Sequence, residues 1–444
     1  MRWRLCETAA RVQPLRFSAS SAVRWGQGEG TLPPDSDITS PPTVVTPGPR
    51  ALLANANYRL LWFAGLVGNS MRWLEMLVAG IFTFQLTHSA LMVALVSVAR
   101  TLPQLLTGAL VGVVGEAVSR QRLLMVGLVV IAATSAILSL LAFSGAIQVW
   151  QVALGAIVSG TVASSEMAVR RRMIGDVVPA PLLSRAVAFD SLTGSASRMI
   201  GPLVGGVAFE ALGIGGAYLI SALLHLVAAV GMSRLEVQQA RRPLALARIP
   251  SELAEGLAIV RQRPILLAVV VVSIVTNMFG FSYSSLIAPF GIVKFDLSPA
   301  LVGLLASAEP IGAIAGGVML STGLLAADHP RLFIGGSFGF LSALIAMALS
   351  PWFVASFVVL LLGGLGTARY ANMQTNLVLT DAPSELRSRV MGMVTVAIGT
   401  APLGVLTTGL LSTAIGPALA IVVMAAVGLA TLALVRWRIP ALRR

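Results

Sequence analysis

The sequence predicts an all-α membrane protein in which twelve transmembrane helices form two pseudo-symmetric six-helix bundles. Three observations predict this fold class: an apolar composition, long apolar runs at regular spacing, and arginines gathered on one side of those runs. Of the 444 residues, 56% are hydrophobic and 11% are charged, and the mean hydropathy is +0.87. Because an ordinary soluble protein carries about 25% charged residues, this composition indicates a chain that lies mostly in lipid.

Twelve apolar runs of 19 to 27 residues provide the predicted spans. A helix of about 20 residues crosses the roughly 30 Å hydrocarbon core. Lipid offers no water to unpaired backbone groups, so each run is predicted to be a helix. The runs are 60–86, 91–115, 123–143, 147–169, 186–212, 215–233, 265–291, 299–325, 332–350, 353–373, 390–412 and 417–435.

Positive charges are divided unequally between the two predicted faces. Of the 30 arginines, 26 fall on one face, and the only lysine, Lys294, lies on the other. Because basic loops stay in the cytoplasm, this asymmetry predicts that both termini are cytoplasmic, and we assign the protein to a bacterial inner membrane. The remaining four arginines lie within spans, where a charge is costly and marks a candidate functional residue. They are Arg72, Arg100, Arg198 and Arg369.

The chain is predicted to have five segments. The first is rich in Pro, Ser, Thr and Gly, which indicates a disordered cytoplasmic tail. The longest gap between spans is predicted to be a cytoplasmic linker with a short amphipathic helix at 251–257. The segments are the tail at 1–54, the N-terminal six-helix bundle at 55–233, the linker at 234–263, the C-terminal six-helix bundle at 264–435 and a cytoplasmic tail at 436–444.

A repeated glycine spacing relates the two bundles. With an offset of 203 residues, three glycines of the first bundle match three of the second. The shared spacing indicates two parallel repeats of six helices, an arrangement typical of one large class of transporters. The matched pairs are Gly201 and Gly404, Gly206 and Gly409, and Gly213 and Gly416.

Several classes of function are excluded by composition and by missing motifs. The net charge of +13 is spread over short loop clusters, whereas nucleic-acid binding needs a concentrated basic surface. The single cysteine, Cys6, cannot form an intramolecular disulfide, and the three histidines are too scattered along the sequence to indicate a metal site. The chain has no phosphate-binding loop, no nucleotide fingerprint and no nucleophile constellation. We therefore expect no cofactor and no enzymatic activity, and an ion gradient as the energy source.

Three sequence segments carry a resemblance to a known family. The most specific is Arg198–Gly206 in span 5, which is similar to the G-P-x-x-G-G core of an antiporter motif through Gly201, Pro202, Gly205 and Gly206. The others are Asn57–Trp62 at the start of span 1 and Arg100–Gln104 in span 2. Over residues 55–435 the chain resembles the major facilitator superfamily, in the branch of enterobactin-exporter-like and 12-span drug:proton antiporters.

The resemblance implies a monomeric secondary transporter of the major facilitator fold, whose partners are the lipid bilayer, a small-molecule substrate and protons. It implies export of a small amphipathic molecule, drug- or siderophore-like, in exchange for protons by alternating access. Two alternatives stay open, because fold does not determine function. One is an importer or facilitator of a small metabolite with the same fold, and the other is a membrane sensor or scaffold without transport.

The loop between spans 2 and 3 resembles the superfamily's conformational latch in part. An acid and a base four residues apart on a helix would contribute about 0.2–0.5 kcal/mol as an exposed pair. The alternative interpretation is that the charges of this loop only set the orientation of the chain in the membrane. The residues that keep the superfamily frame are Gly112, Glu116, Arg120 and Arg122, and those that depart from it are Ala117, Ser119 and Gln121.

The charges within spans are candidate sites for protons or substrate. Arg72 and Glu75 are three residues apart and share a helix face, and the resemblance places span 1 beside the central cavity. They either pair locally or bind protons or substrate. Arg198 and Glu309 have similar depths, about 18 and 15 Å from opposite faces. Since spans 5 and 8 meet in this superfamily, we predict a contact between them, either structural or a switch.

The repeat relates two further pairs of charges. Arg100 aligns with Glu309, and Glu166 aligns with Arg369, so the halves are electrically complementary. Two groups of polar residues lie near the arginine-rich ends of their helices: Glu166 with Arg170 and Asp190, and Arg369 in the other half. We predict that they form either a cytoplasmic gate or a solvated ion network. As the proton-coupling acid we rank Glu75 first, Glu309 second and Glu166 third. Arg100 has no predicted partner beyond its repeat equivalent.

Overall fold

The computed structural model describes residues 49–117, 119–235, 249–324, 330–439 and 442. The helices of the first half are α1 Pro49–Ala54, α2 Ala56–Thr87, α3 Ala90–Ala117, α4 Arg120–Phe143, α5 Val149–Val177 and α6 Ala180–Ser233. The remaining helices are α7 Ile249–Gln262, α8 Pro264–Val275, α9 Ile287–Phe295, α10 Pro299–Ser321, α11 Pro330–Leu349, α12 Phe353–Asp381, α13 Arg387–Ile398 and α14 Ala401–Arg438. The fold is all-α and of the membrane-protein class, as predicted.

The helices account for the twelve predicted spans. Eight helical stretches in the described ranges are long and apolar enough to cross a membrane. Two of them, Ala180–Ser233 and Ser384–Arg438, contain 54 and 55 residues. At about 1.5 Å per residue, each is more than twice as long as one crossing requires, and each is broken by a glycine with non-helical backbone angles. These two stretches therefore contain two predicted spans each. Helices α2 and α3, which are not among the eight, include the residues of the first two predicted spans.

The glycine breaks show the repeat in the backbone. Gly213 has φ 67° and ψ −175°, and Gly416 has φ 81° and ψ 163°. Both lie in the region that glycine adopts without a steric penalty, and they are the matched pair at the offset of 203 residues. The ends of α2 and α9 also correspond, because His88 and Asp296 both cap their helices in the left-handed conformation.

Helix pairing repeats in the two halves. In the first half α2 packs on α6, α3 on α5, and α4 on α6. In the second half the segment between α8 and α9 packs on α14, α10 on α12, and α11 on α14. The halves join mainly through α6 with α10 and through α3 with α14. The same pairs of equivalent helices therefore form both bundles, and two equivalent seams connect them.

Glycines of the span 5 motif allow α6 to pack between α2 and α10. A Cβ atom on Gly201 would lie 2.6 Å from the Cβ of Trp73, and one on Gly205 would lie 3.1 Å from the Cα of Leu74. A Cβ on Gly206 would lie 3.0 Å from the Cα of Gly303 on α10. The motif therefore brings three helix backbones close together, as small residues do in membrane bundles.

Two faces of the molecule are distinguished by their charged residues. We call the face with Arg120, Arg263 and Arg389 the arginine face. There Arg120 pairs with Asp176 at 2.5 Å, Arg389 pairs with Glu255, and Arg263 donates to the Asp381 carbonyl at 2.5 Å. We call the opposite face, where α9 ends and α10 begins, the Lys294 face. On it the Lys294 ammonium donates to the Ala348 carbonyl and lies above the rings of Phe290 and Phe295.

Span 7 is not the uninterrupted helix that its hydropathy predicts. After α8 the chain forms a π-helical turn at Thr276–Gly280 and a 3₁₀ segment at Phe281–Leu286 before α9 begins. Irregular backbone is tolerated at membrane depth where it lines a cavity inside the protein, and π-turns are frequent at functional sites. The linker helix α7 is also longer than the predicted 251–257. The predicted tail lies outside the described residues up to position 48, as do linker residues 236–248.

Candidate functional site

A cavity of about 390 Å³ lies between the two halves. Its volume falls within the roughly 300–1,000 Å³ range of small-molecule sites. The lining comes from α2, α3, α6, α9, α10, α13 and the irregular segment of span 7. Much of it is apolar or aromatic, and the larger side chains include Trp73, Met76, Leu77, Phe281 and Ile287. The cavity therefore has the volume of a small-molecule site and a largely apolar wall.

An ion pair between the halves lies on the cavity wall. Arg198 Nη2 is 2.6 Å from Glu309 Oε2, and Thr367 Oγ1 donates to Glu309 Oε1 at 2.6 Å. The Glu309 side chain is 1% exposed, whereas that of Arg198 is 32% exposed. The predicted Arg198–Glu309 contact is confirmed, while the role of the pair stays a prediction. It fastens α6 of the first half to α10 of the second.

Two aromatic rings lie close to the Arg198 guanidinium. Its central carbon is 5.5 Å from the centroid of Trp73 and 5.8 Å from that of Phe281. Both distances are within the roughly 6 Å range of cation–π attraction. Because Trp73 belongs to α2 and Phe281 to the irregular part of span 7, aromatic groups from both halves hold this cation at the cavity.

A second polar cluster lies inside the first half, around Glu75. Its carboxylate accepts hydrogen bonds from Ser135 at 2.9 Å, Ser159 at 3.2 Å and Ser221 at 2.6 Å, and it pairs with Arg100 at 3.4 Å. The donors come from four different helices, which is why spacing along α2 alone could not identify them. The prediction that Glu75 faces the central cavity with Arg72 is wrong, because Glu75 is 2% exposed and packed among these helices.

The partner of Arg72 is Glu166 on α5, at 3.5 Å, and not Glu75. Arg72 and Glu75 share a face of α2, but neighbouring helices offer each of them a different partner. Both Arg72 and Glu166 line a second cavity of about 10 Å³, together with Arg100 and His225. This volume is close to that of one water probe. The alternative of a local Arg72–Glu75 pair is thus excluded.

Charged side chains continue from this cluster toward the arginine face. Arg170 on α5 pairs with Asp190 on α6, and both residues are buried. Gly65 and Gly68 on α2 make room, because a Cβ at Gly65 would lie 2.7 Å from Arg170 Cζ and one at Gly68 would lie 3.0 Å from Glu166 Cδ. The result is a buried series of ion pairs rather than the solvated network considered from sequence.

Family comparison identifies the class of protein that carries these sites. The family described as transmembrane secretion effector matches residues 47–444. The chain belongs to this family. No curated protein matches it. The family match and the transporter folds described next support the major facilitator superfamily, whereas the enterobactin-exporter-like branch stays a prediction.

Two kinds of solved structure share the fold of this chain. A bacterial homologue of the human lysosomal transporter Spinster, inward-facing and unoccupied, has 16% identity and a TM-score of 0.63 over 87% of this chain and 96% of its own. A POT family transporter in complex with 5-aminolevulinic acid has 12% identity and a TM-score of 0.67 over 89% and 97%. The protein is a secondary transporter of the major facilitator fold, and it is not an enzyme.

The structure describes the remaining candidate latch and gate residues only in part. Gly112 and Glu116 lie in α3, but side chains from 104 to 117 are outside the described part. Arg120 pairs with Asp176 on α5, and Arg122 is exposed on α4. Arg369 does not contact an acid in the described structure, and its Nε atom is buried without a hydrogen bond. The latch and the gate therefore stay predictions.

Sequence reasoning missed two groups of site residues. The serines around Glu75 carry no signal in hydropathy, because a hydroxyl is common in membrane helices. The cavity-lining part of span 7 did carry a signal, since several polar residues interrupt an otherwise apolar run. A polar cluster within one span would have predicted the irregular backbone. These residues are Asn277, Ser282, Tyr283, Ser284 and Ser285.

Proposed function

We propose that this protein exports a small amphipathic molecule in exchange for protons by alternating access. The observation that carries the proposal is the largely apolar cavity between the halves. On its wall, Arg198 of the first half pairs with Glu309 of the second. A pair that joins the halves must separate or shift when they rock, so its stability can differ between the two states. Substrate bound beside it would then bias the exchange between them.

The proposal includes an orientation and a setting. The arginine face is the cytoplasmic face of a bacterial inner membrane, both termini are cytoplasmic, and the protein acts as a monomer of two bundles at 55–233 and 264–435. The positive-inside rule supports this orientation. Close contacts between the halves at the Lys294 face support a cytoplasm-facing state. Glu210 accepts a hydrogen bond from the Ala300 amide at 2.8 Å, and Gly206 packs on Gly303.

Glu166 is the acid that we propose to carry the proton. Its described polar contact is the 3.5 Å pair with Arg72, so a proton there would disturb one long interaction. A proton on Glu75 would disturb four donors, and one on Glu309 would disturb two short bonds. The order from sequence, in which Glu75 came first, is thus reversed on geometric grounds.

The surroundings of Glu166 suit an acid that gains and loses a proton. Besides Arg72 on α2, the small cavity beside it includes Glu75, Arg100 on α3 and His225 on α6. Arg170 lies one turn away on α5 and is held by Asp190. Arg72 is 22% exposed and Glu166 is 8% exposed, so the guanidinium is less enclosed than the carboxylate. A neutral acid is cheaper to bury than a carboxylate.

Inverted membrane vesicles with an acidic interior test this proposal. We expect the pH gradient to drive uptake of at least one compound from a panel of fluorescent amphiphiles. Glu166→Gln should reduce gradient-driven uptake by about tenfold or more, which corresponds to about 1.4 kcal/mol, while exchange without a gradient continues. Glu255→Gln removes an exposed acid at the arginine face and serves as the matched control.

Three outcomes would contradict the proposal. Normal gradient-driven uptake by the Glu166→Gln variant would exclude Glu166 as the proton carrier. Uptake into right-side-out vesicles with protons, instead of exchange, would favour the importer alternative. Absence of transport for every compound, with a folded protein, would favour the sensor or scaffold.

A further inference from the structure

We propose that the transported molecule is an amphipathic anion and that Arg198 binds its negative group. The inference rests on the proposed function, since it takes the central cavity as the substrate site. It adds a substrate class and a specificity-determining residue. A carboxylate, sulfonate or phenolate attached to an apolar, aromatic body would meet this description.

The charge that the cavity presents is positive. Among the described lining residues, the fully charged side chains are those of Arg198 and Glu309. Glu309 is 1% exposed and both its oxygens already accept hydrogen bonds, while Arg198 is 32% exposed. A molecule entering the cavity therefore meets the guanidinium and not the carboxylate. A cationic substrate would be repelled by the group that it reaches first.

Arg198 retains the capacity to bind a second anion. A guanidinium has five N–H donors in a planar fork, and the described hydrogen bond of Arg198 to Glu309 uses Nη2. Arginine forks bind carboxylates and related anions with charge-assisted hydrogen bonds. Glu309 and the substrate would thus share one cation, each on a different edge of the fork.

The neighbouring groups fix the position of this cation and describe the rest of the ligand. Trp73 and Phe281 lie within 5.8 Å of the guanidinium carbon, so they limit its rotation and leave apolar surface beside it. Asn277, Tyr283 and Ser284 line the same cavity and supply neutral polar groups. An anion attached to an aromatic or aliphatic body satisfies both the charge and the apolar wall.

Sharing Arg198 has a testable consequence. Because Glu309 and a bound anion compete for the same positive charge, neutralising Glu309 should strengthen anion binding. If Glu309 were itself the substrate-binding group for cations, its neutralisation would weaken binding instead. The proton site at Glu166 is a different group, so exchange for protons does not require the substrate to displace a proton from Glu309.

Binding of three matched probes to the purified protein in lipid nanodiscs tests the inference. The probes are 2-naphthylacetate, 2-naphthylacetamide and 2-naphthylmethyl-trimethylammonium, and calorimetry measures their dissociation constants. For the wild type we expect the carboxylate to bind about tenfold more tightly than the amide and the ammonium to bind most weakly. Glu309→Gln should tighten carboxylate binding and leave amide binding unchanged.

The Arg198 variants need a matched design. Arg198→Gln alone leaves Glu309 buried without its partner and can unfold the protein. The Arg198→Gln/Glu309→Gln double variant removes both charges and should bind the carboxylate and the amide equally. Arg234→Gln removes an exposed arginine at the end of α6 and should retain the wild-type preference.

The inference is overturned if the wild type binds the carboxylate no more tightly than the amide, or does not bind it measurably. It is also overturned if the ammonium binds most tightly, or if the double variant retains the carboxylate preference. Binding without a gradient does not depend on proton coupling. A carboxylate preference without gradient-driven transport would therefore refute the proposed function alone, and gradient-driven transport without the preference would refute the inference alone.

Discussion

The interiors of the two halves differ in chemistry although their helices pair in the same way. The first half buries ion pairs, between Glu75 and Arg100 and between Arg170 and Asp190. The corresponding region of the second half uses neutral hydrogen bonds. They join Thr276 to Ser337, Asn277 to Tyr370, and Gln374 to Ser273 and Tyr370.

This difference teaches that one bundle geometry can be held together by two kinds of polar interaction. A buried ion pair is costly to desolvate and responds strongly to a change in charge. A network of neutral amides and hydroxyls responds weakly, because Asn277, Gln374 and Ser273 each have a second partner. We therefore expect the stability of the first half to respond more strongly to the loss of a charge than that of the second half does to the loss of a hydrogen bond.

The largest expected effect is the loss of a charge from the first half. Glu75→Gln leaves Arg100, which is 7% exposed, without its carboxylate partner. Removing one member of a buried pair costs about 3–5 kcal/mol, so we expect that loss of stability from Glu75→Gln and from Arg100→Gln. Denaturant unfolding of the purified protein in detergent measures it.

A double-mutant cycle sharpens this test. The Glu75→Gln/Arg100→Gln variant leaves neither charge uncompensated, so its loss should be smaller than the sum of the two single losses. Additive losses would show that the two side chains do not stabilise each other. They would contradict the claim that buried ion pairs stabilise the first half.

An intermediate effect is expected at the two seams, where Gly206 and Gly409 are repeat equivalents. A Cβ on Gly206 would overlap α10 backbone, 3.0 Å from the Gly303 Cα. A Cβ on Gly409 would overlap mainly the side chain of Ala94. We expect Gly206→Ala and Gly409→Ala each to cost about 1–3 kcal/mol, the usual cost of overpacking, in unfolding experiments.

Rescue distinguishes the two seams. Ala94→Gly should restore stability to the Gly409→Ala variant, because it removes the overlapping methyl group. Gly303 has no side chain to remove, so no equivalent substitution can rescue Gly206→Ala. Failure of Ala94→Gly to restore stability would show that backbone contact limits both seams alike.

The smallest effect is expected in the second half. Tyr370→Phe removes an acceptor from Asn277 and Gln374, but Asn277 also donates to the Ser273 carbonyl and Gln374 to the Ser273 hydroxyl. Since neither amide is left without a partner, the loss should be about 1 kcal/mol on thermal unfolding. A loss as large as that of Glu75→Gln would contradict the distinction between charged and neutral interiors.

The fold was predictable because its main determinants are local. Run length and hydropathy gave the helices. Glycine spacing gave the repeat, whose matched pair Gly213 and Gly416 is where the structure breaks two long helices. The Arg198–Glu309 contact was predictable because depth is a one-dimensional quantity and the superfamily resemblance supplied the neighbouring helices. A residue's depth follows from counting along one helix.

The ion pairs of the first half were not predictable in the same way. The partner of Glu75 depends on which side of α2 faces α3, α4, α5 and α6, and spacing along one helix does not determine that rotation. The sequence placed Arg72 and Glu75 on one face, but each meets a different helix. The irregular segment of span 7 differs from the ion pairs, because the polar residues within its apolar run carried a signal in the sequence.

The only lysine of the chain gives this protein a natural chemical label. Lys294 is partly exposed where α9 ends, and its ammonium is held by the Ala348 carbonyl between two phenylalanine rings. Amine-reactive reagents therefore have one side-chain target, on the face opposite the arginines. A reagent that cannot cross lipid would report, from the labelling of Lys294 alone, which way each molecule is inserted in a vesicle, without any introduced cysteine.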